Sequence, residues 1–333
     1  MSLAKKRLLM AAALIIGLAL VCAASFMFGA RAISWQVVSA WIDDQPVKAI
    51  DAAVLEARLA RTAVALVAGS GLACAGAAMQ AITRNPLADP GLIGVNAGAA
   101  LAVVVFTVLI GYATPASYLF SAMVGAVIAA ALVWGVTITA SSGADPITLV
   151  LAGAATSAGV ASVTQLFILT RGQDMDSFRR WTLGVVSGRS WELIWPAACL
   201  VGAGICLLLL QNRALDGLSM GDDVATGLGI NLLRARSLGA LGAVCCCAGA
   251  TALAGPLGFV GIIVPHLLRG VGGPAMGWVL GSSLLAGPIL VIAADTVGRL
   301  IWPPAEVPAG VLVALIGVPV LVALVRRRQV VSL

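Results

Sequence analysis

Ionisable side chains are scarce in this 333-residue chain, at 10% of residues against 61% hydrophobic, so each one away from the termini needs a reason. Asp295 precedes Arg299 by four residues, the spacing at which an acid and a base pair on one helix face. Arg58 and Arg61 lie close together, Asp222 and Asp223 are adjacent, and Asn85 and Asp89 each precede a proline. Such residues can form ion pairs, dock an acidic partner or couple an ion to transport. Catalysis fits poorly. The chain has one histidine, His266, beside Pro265, so no serine, histidine and acid set can be assembled. No Gly-rich loop ending in Lys-Ser/Thr occurs, and no dinucleotide fingerprint follows a strand. His266 reads as structural. The seven cysteines fall inside apolar runs, and consecutive Cys245, Cys246 and Cys247 point about 100° apart on a helix, which prevents convergence on one metal. They read as small packing residues.

The elements that must position these residues are membrane spans. A soluble domain carries about a quarter charged residues, and this chain has a mean hydropathy of +1.06. With 38 glycines and no alternating pattern, it reads as an all-α bundle whose backbones approach closely rather than a closed barrel. Uncharged runs predict spans near 8–30, 62–83, 92–110, 117–140, 147–169, 193–210, 238–254, 275–295 and 308–325. The run 256–270 is too short for a full crossing at about 1.5 Å per residue. Basic flanks, Lys5–Arg7 and Arg326–Arg328, place both termini inside, which requires an even number of crossings. The short segment therefore counts as a tenth helix, sheltered by protein. The first run exceeds a signal-peptide core and is read as retained.

Between the second and third spans, GAAMQAITRNPLADPGLIGVNAG forms a rigid corner, because Pro86 and Pro90 push Asn85 and Asp89 into extended conformations. Gln80 and Arg84 read as helix-end anchors and Asp89 as a cap for the third span. The longest inside insertion, 211–236, has Asp222 and Asp223 opening a short helix that Gly227 and Gly229 can stop, and it is the natural seat for an attached motor. Lys and Arg divide 11 inside to 9 outside, a slight bias, so the outside arginines point to docking of an acidic partner or to lipid phosphates. AGAAMQ…NPLADPGLIG and AGATALAGPLGFVG echo one another weakly, as an inverted repeat does.

RNPLADPGLIGVNAGA, LSMGDDVATGLGI and GPLGFVGIIVPHLLR, followed by Ala294-Asp295 and Glu306-Val-Pro308, resemble the FecCD-type permeases over essentially the whole chain. These are membrane subunits of ABC importers for ferric siderophores, haem and vitamin B12, and the corner is worded most like the ferric-enterobactin type. The resemblance implies a type II importer permease of ten transmembrane helices, a single domain over 1–333, in the bacterial cytoplasmic membrane. It implies two ABC ATPase subunits holding ATP and Mg, a second permease copy or relative, and a periplasmic or lipid-anchored binding protein. No cofactor is expected on this chain, nor any nucleic-acid partner. By the same resemblance, Gly221, Asp222, Asp223, Ala225 and Gly229 enter the ATPase cleft, and Arg58, Arg61 and Arg299 grip the binding protein. Asn85 and Leu87 form a cytoplasmic gate, with Ser141 and Ser142 in a second constriction. Gly153, Thr156, Ser157 and Gln165 of the fifth span are expected to line the pathway. The competing reading is a secondary transporter using Asp295 as its coupling acid.

Overall fold

The computed structural model describes residues 2–110, 115–139, 146–170, 176–303 and 305–326. Among them, α-helices and one 3-10 turn account for the regular structure, with no strand. In chain order the helices are α1 Leu3–Met27, α2 Trp35–Ile42, α3 Ala49–Thr83, α4 Val95–Ile110, α5 Pro115–Thr139, α6 Pro146–Thr170 and α7 Asp176–Thr182. They continue as α8 Trp191–Leu210, α9 Asn212–Ser219, α10 Asp222–Gly227, α11 Leu232–Ala254, α12 Val260–Gly272, α13 Met276–Ile301 and α14 Ala309–Arg326. Seven of these (α1, α3, α5, α6, α8, α11 and α13) are long and apolar enough to cross a membrane, and α4, α12 and α14 are shorter apolar helices. Together they supply the ten helices expected. The remaining four short helices lie in the connections.

Two boundaries differ from expectation. The second span begins at Ala49, because residues 49–68 are alanine-rich and contain neither glycine nor proline to stop a helix. Arg58 and Arg61 are therefore part of α3 and not the end of a loop. The first connection shrinks accordingly and carries α2. The polar stretch after α6 likewise contains α7.

Helices α3 and α11 form the centre: 78% of the apolar window of each is buried, against 6% for α1 and 17% for α6. Glycine allows this closeness. A Cβ added to Gly69 would lie 2.6 Å from the Gly287 backbone of α13, and one on Gly76 would lie 2.0 Å from the Gly261 carbonyl oxygen of α12. No larger residue fits either crossing. At about 1.5 Å per residue, the 13 residues of α12 cover roughly 20 Å. Val260, Ile263, Val264, Pro265, His266 and Leu268 of this helix are buried, so it is sheltered by its neighbours as the sequence requires.

Candidate functional site

Polar residues concentrate at the two ends of the bundle. At the end expected outside, Arg58, Arg61, Asp295, Arg299 and Glu306 form one cluster joining α1, α3, α13 and the segment before α14. Arg61 donates through Nη2 to Asp295 Oδ1 at 2.7 Å and through Nη1 to both Glu306 oxygens at 3.0 and 2.8 Å. Arg299 Nε lies 3.2 Å from Asp295 Oδ2, which is the four-residue helix pair expected from the spacing. Arg299 also donates to the Ser25 and Phe28 carbonyls at 3.1 and 3.2 Å and to Ser25 Oγ at 2.9 Å. Arg58 donates to the carbonyls of Phe26 and Arg31.

The carbonyls at the end of α1 have no partners within that helix, and these two guanidinium groups supply them. Arg58 and Arg299 are accordingly buried, at 5% and 3% exposure. Both docking candidates are thus engaged inside the protein; Arg61 differs in that its partner Glu306 is open to solvent. Arg189 repeats the pattern, donating to Leu253 O at 2.7 Å near the end of α11.

At the opposite end, α3 stops in Arg84, which adopts a left-handed conformation (φ 51°, ψ 32°). The Asn85 side-chain oxygen accepts from the Leu87 N–H at 2.9 Å, closing a local turn. Asp89 is extended, as the following proline requires, and its Oδ1 accepts from the Gly91 N–H at 2.8 Å. That cap lands on the 3-10 turn Pro90–Ile93, which leads into α4. Asn85 and Leu87 are both exposed at this corner. Ser141 and Ser142 lie outside the described residues. Gln80 departs from its expected role as a helix-end anchor. It is fully buried, donates to the Gly261 carbonyl at 3.0 Å, and accepts from Arg269 of α12. A lone amide and a lone cation in apolar helices had to find one another, since neither is tolerated unpartnered in such surroundings.

Beside the corner, the stretch 211–236 holds α9, α10 and the first turn of α11. Gly221 (φ 111°) and Gly229 (φ 77°) bracket α10 in conformations that disfavour any residue with a Cβ. Ala225 is the fully buried residue of α10 and therefore faces the permease. Asp222 is also turned homeward: its oxygens accept from Arg236 Nη2 at 2.8 and 3.0 Å, and Arg84 Nη2 lies 3.9 Å away. Asp223 stays exposed.

The outward face belongs to Met220, Val224 and Leu228, at 65%, 46% and 64% exposure. Val224 lies on α10, Leu228 follows its last turn and Met220 precedes it across Gly221, so the three flank and include α10, a signal readable in LSMGDDVATGLGI but not singled out from sequence. Asp216 of α9 accepts from the Met276 N–H at 2.7 Å, so it caps α13, whose own N-cap residue Ala275 has no suitable side chain. Burial raises the pKa of the Asp216 carboxyl, and the bond from Met276 opposes that shift.

The fifth-span residues divide. Gly153 is buried, Thr156 and Ser157 are half-buried, and Gln165 is exposed. Gln165 lines a cavity of about 390 Å³ between α4, α6 and α7, together with Thr164, Phe178 and Arg179.

Ten apolar helices thus make up the bundle, and exposed apolar side chains surround α10 on its polar insertion. Residues 15–327 match the FecCD transport family, and the chain belongs to it. The ferric enterobactin transport system permease protein FepD of Escherichia coli K12 is 38% identical over 330 residues, covering 98% of both chains. The probable siderophore transport system permease protein YfiZ of Bacillus subtilis is 39% identical over 274 residues, 82% of each. A solved ABC transporter of the metal-chelate type, in an inward-facing conformation, superposes with a TM-score of 0.83 at 26% identity, covering 95% of this chain and 98% of that one.

Proposed function

We propose that this chain is the membrane-spanning subunit of an ATP-driven importer that carries a ferric siderophore across the bacterial cytoplasmic membrane, with both termini inside. ATP and Mg are held by two partner ATPase subunits, and a second permease, identical or related, completes the pathway. The observation that carries this reading is the exposed apolar set Met220, Val224 and Leu228, on and on either side of α10, in the insertion at the end expected inside. An apolar patch left open in water is a surface for a partner. Siderophore cargo is supported by the full-length similarity to FepD, with haem and vitamin B12 as the other cargoes of the resemblance.

A binding protein docks at the opposite end. There Arg61 is the better placed of the three arginines, because an incoming carboxylate can replace Glu306 without disturbing the buried contacts of Arg58 and Arg299. At the inner end, Asn85 and Leu87 serve as the gate, with Ser141 and Ser142 as a second constriction. Asp295 has both oxygens engaged by arginines, an arrangement that suits a structural ion pair better than a coupling acid. The test is co-purification with the ATPase, then uptake of a ferric tricatecholate into proteoliposomes with the binding protein added. Uptake that needs ATP and survives a protonophore supports the importer. Uptake that ignores ATP and collapses with a protonophore establishes the secondary transporter instead.

A further inference from the structure

We infer that Arg84 is a positioning residue that transmits movement of α10 to the corner carrying Leu87. The inference rests on the importer reading above and assigns a route between its motor surface and its gate. Three observations converge on this side chain. Its backbone ends α3 in the left-handed region, which residues with a Cβ seldom adopt, so this position turns the chain out of α3 into the proline-restricted corner Asn85–Asp89. Its guanidinium reaches across to α10, with Nη2 3.9 Å from Asp222 Oδ2. A Cβ built on Gly221 would sit 3.8 Å from Arg84 Nη1, so the guanidinium also lies beside the glycine that opens α10.

The acid is not free to follow Arg84 alone. Arg236, buried on the central helix α11, holds Asp222 through two short contacts. Asp222 therefore stands between a fixed cation and a half-open one: the side chain of Arg236 is 7% exposed and that of Arg84 is 40% exposed. A displacement of α10 moves this acid relative to Arg84, and the corner follows or loses its contact. An exposed pair at this distance adds little to stability. Its consequence lies in which corner conformation accompanies which position of α10, so its loss registers in coupling and leaves the fold intact.

The experiment uses the complete importer reassembled in lipid nanodiscs with its ATPase subunits. The permease carries Leu87→Cys as a reporter, with exposed Cys199 and Cys206 replaced by serine. The rate of reaction with a thiol-specific fluorophore is measured with and without vanadate-trapped ATP, alongside ATP hydrolysis. With Arg84 present, nucleotide changes the labelling rate by about fivefold or more, the lower range of coupling between sites. Arg84→Gln and, independently, Asp222→Asn are expected to shrink that response below about twofold while hydrolysis continues, and Arg84→Lys to restore it. A full response in Arg84→Gln overturns the inference, as does loss of hydrolysis together with the response in both neutral variants. If the Arg84 parent itself neither hydrolyses ATP nor responds to it, the importer reading fails, and the transmission route with it.

Discussion

The two ends of the bundle use their charges in opposite ways. At the end expected outside, Arg58, Arg61 and Arg299 are enclosed by carboxylates and by the terminal carbonyls of α1, and two of the three are almost fully buried. At the other end, Arg84 and Asp222 stay partly open, and Met220, Val224 and Leu228 on and beside α10 are exposed. By sequence, cations divide 11 to 9 between the two sides, and the outside arginines suit either an acidic partner or lipid phosphates. The geometry adds a different reason for their number: Arg58, Arg299 and Arg189 satisfy carbonyls where α1 and α11 end in apolar surroundings. The arginines at the end expected outside close on the fold itself, whereas Arg84 and Asp222 at the opposite end stay partly open.

Breaking the outer cluster is expected to give the largest effect. Arg299→Ala leaves Asp295 with one arginine and strips the Ser25 and Phe28 carbonyls of a donor, a loss of about 3–5 kcal/mol for a disrupted buried pair. A large fall in the thermal midpoint of the detergent-solubilised permease should follow; an unchanged midpoint would remove the structural role assigned to this end. Next comes α10. Val224→Asp with Leu228→Asp should weaken ATPase binding on the order of 30-fold or more, as truncated interface anchors do, with the permease midpoint preserved. Retained co-purification would mean that the exposed face is not the ATPase surface.

A smaller change sharpens the contrast from the other side. Glu306→Gln frees part of Arg61 for an incoming acid, so affinity for the binding protein should rise by about 1 kcal/mol or less, read by surface binding. A fall in affinity instead would make Glu306 part of the docking surface. The smallest expected effect is at the corner: Leu87→Ala removes modest apolar area from a half-open site and should raise ATP hydrolysed per chelate imported by roughly twofold. If that ratio is unchanged, the corner is a hinge and not a gate.

Much of the frame was legible from residue order because it depends on local rules. Uncharged runs located nine of the apolar helices and the need for an even number of crossings added the tenth, Pro86 and Pro90 marked the corner, and the aspartates and glycines at 221–229 bounded α10. The misses arose where one segment answered another. Gln80 looked like an anchor at a helix end, yet its partners are Gly261 and Arg269 on α12, far along the chain. Ala225 and Asp222 are both expected at a motor surface; Ala225 is buried, and Asp222 stays partly open while also accepting from Arg236.

By itself, then, the order of residues determined the membrane class, the number and approximate bounds of the helices, the turn at Asn85–Asp89 and the short sheltered α12. Those outcomes follow from hydropathy, helix propensity and backbone restriction, each of which acts within a few residues. Only the tertiary structure decided which way each isolated polar side chain faces. A lone charge or amide in an apolar bundle must find its partner on another helix, and the approach of α3 to α12, α1 to α13 and α10 to the corner chose those partners.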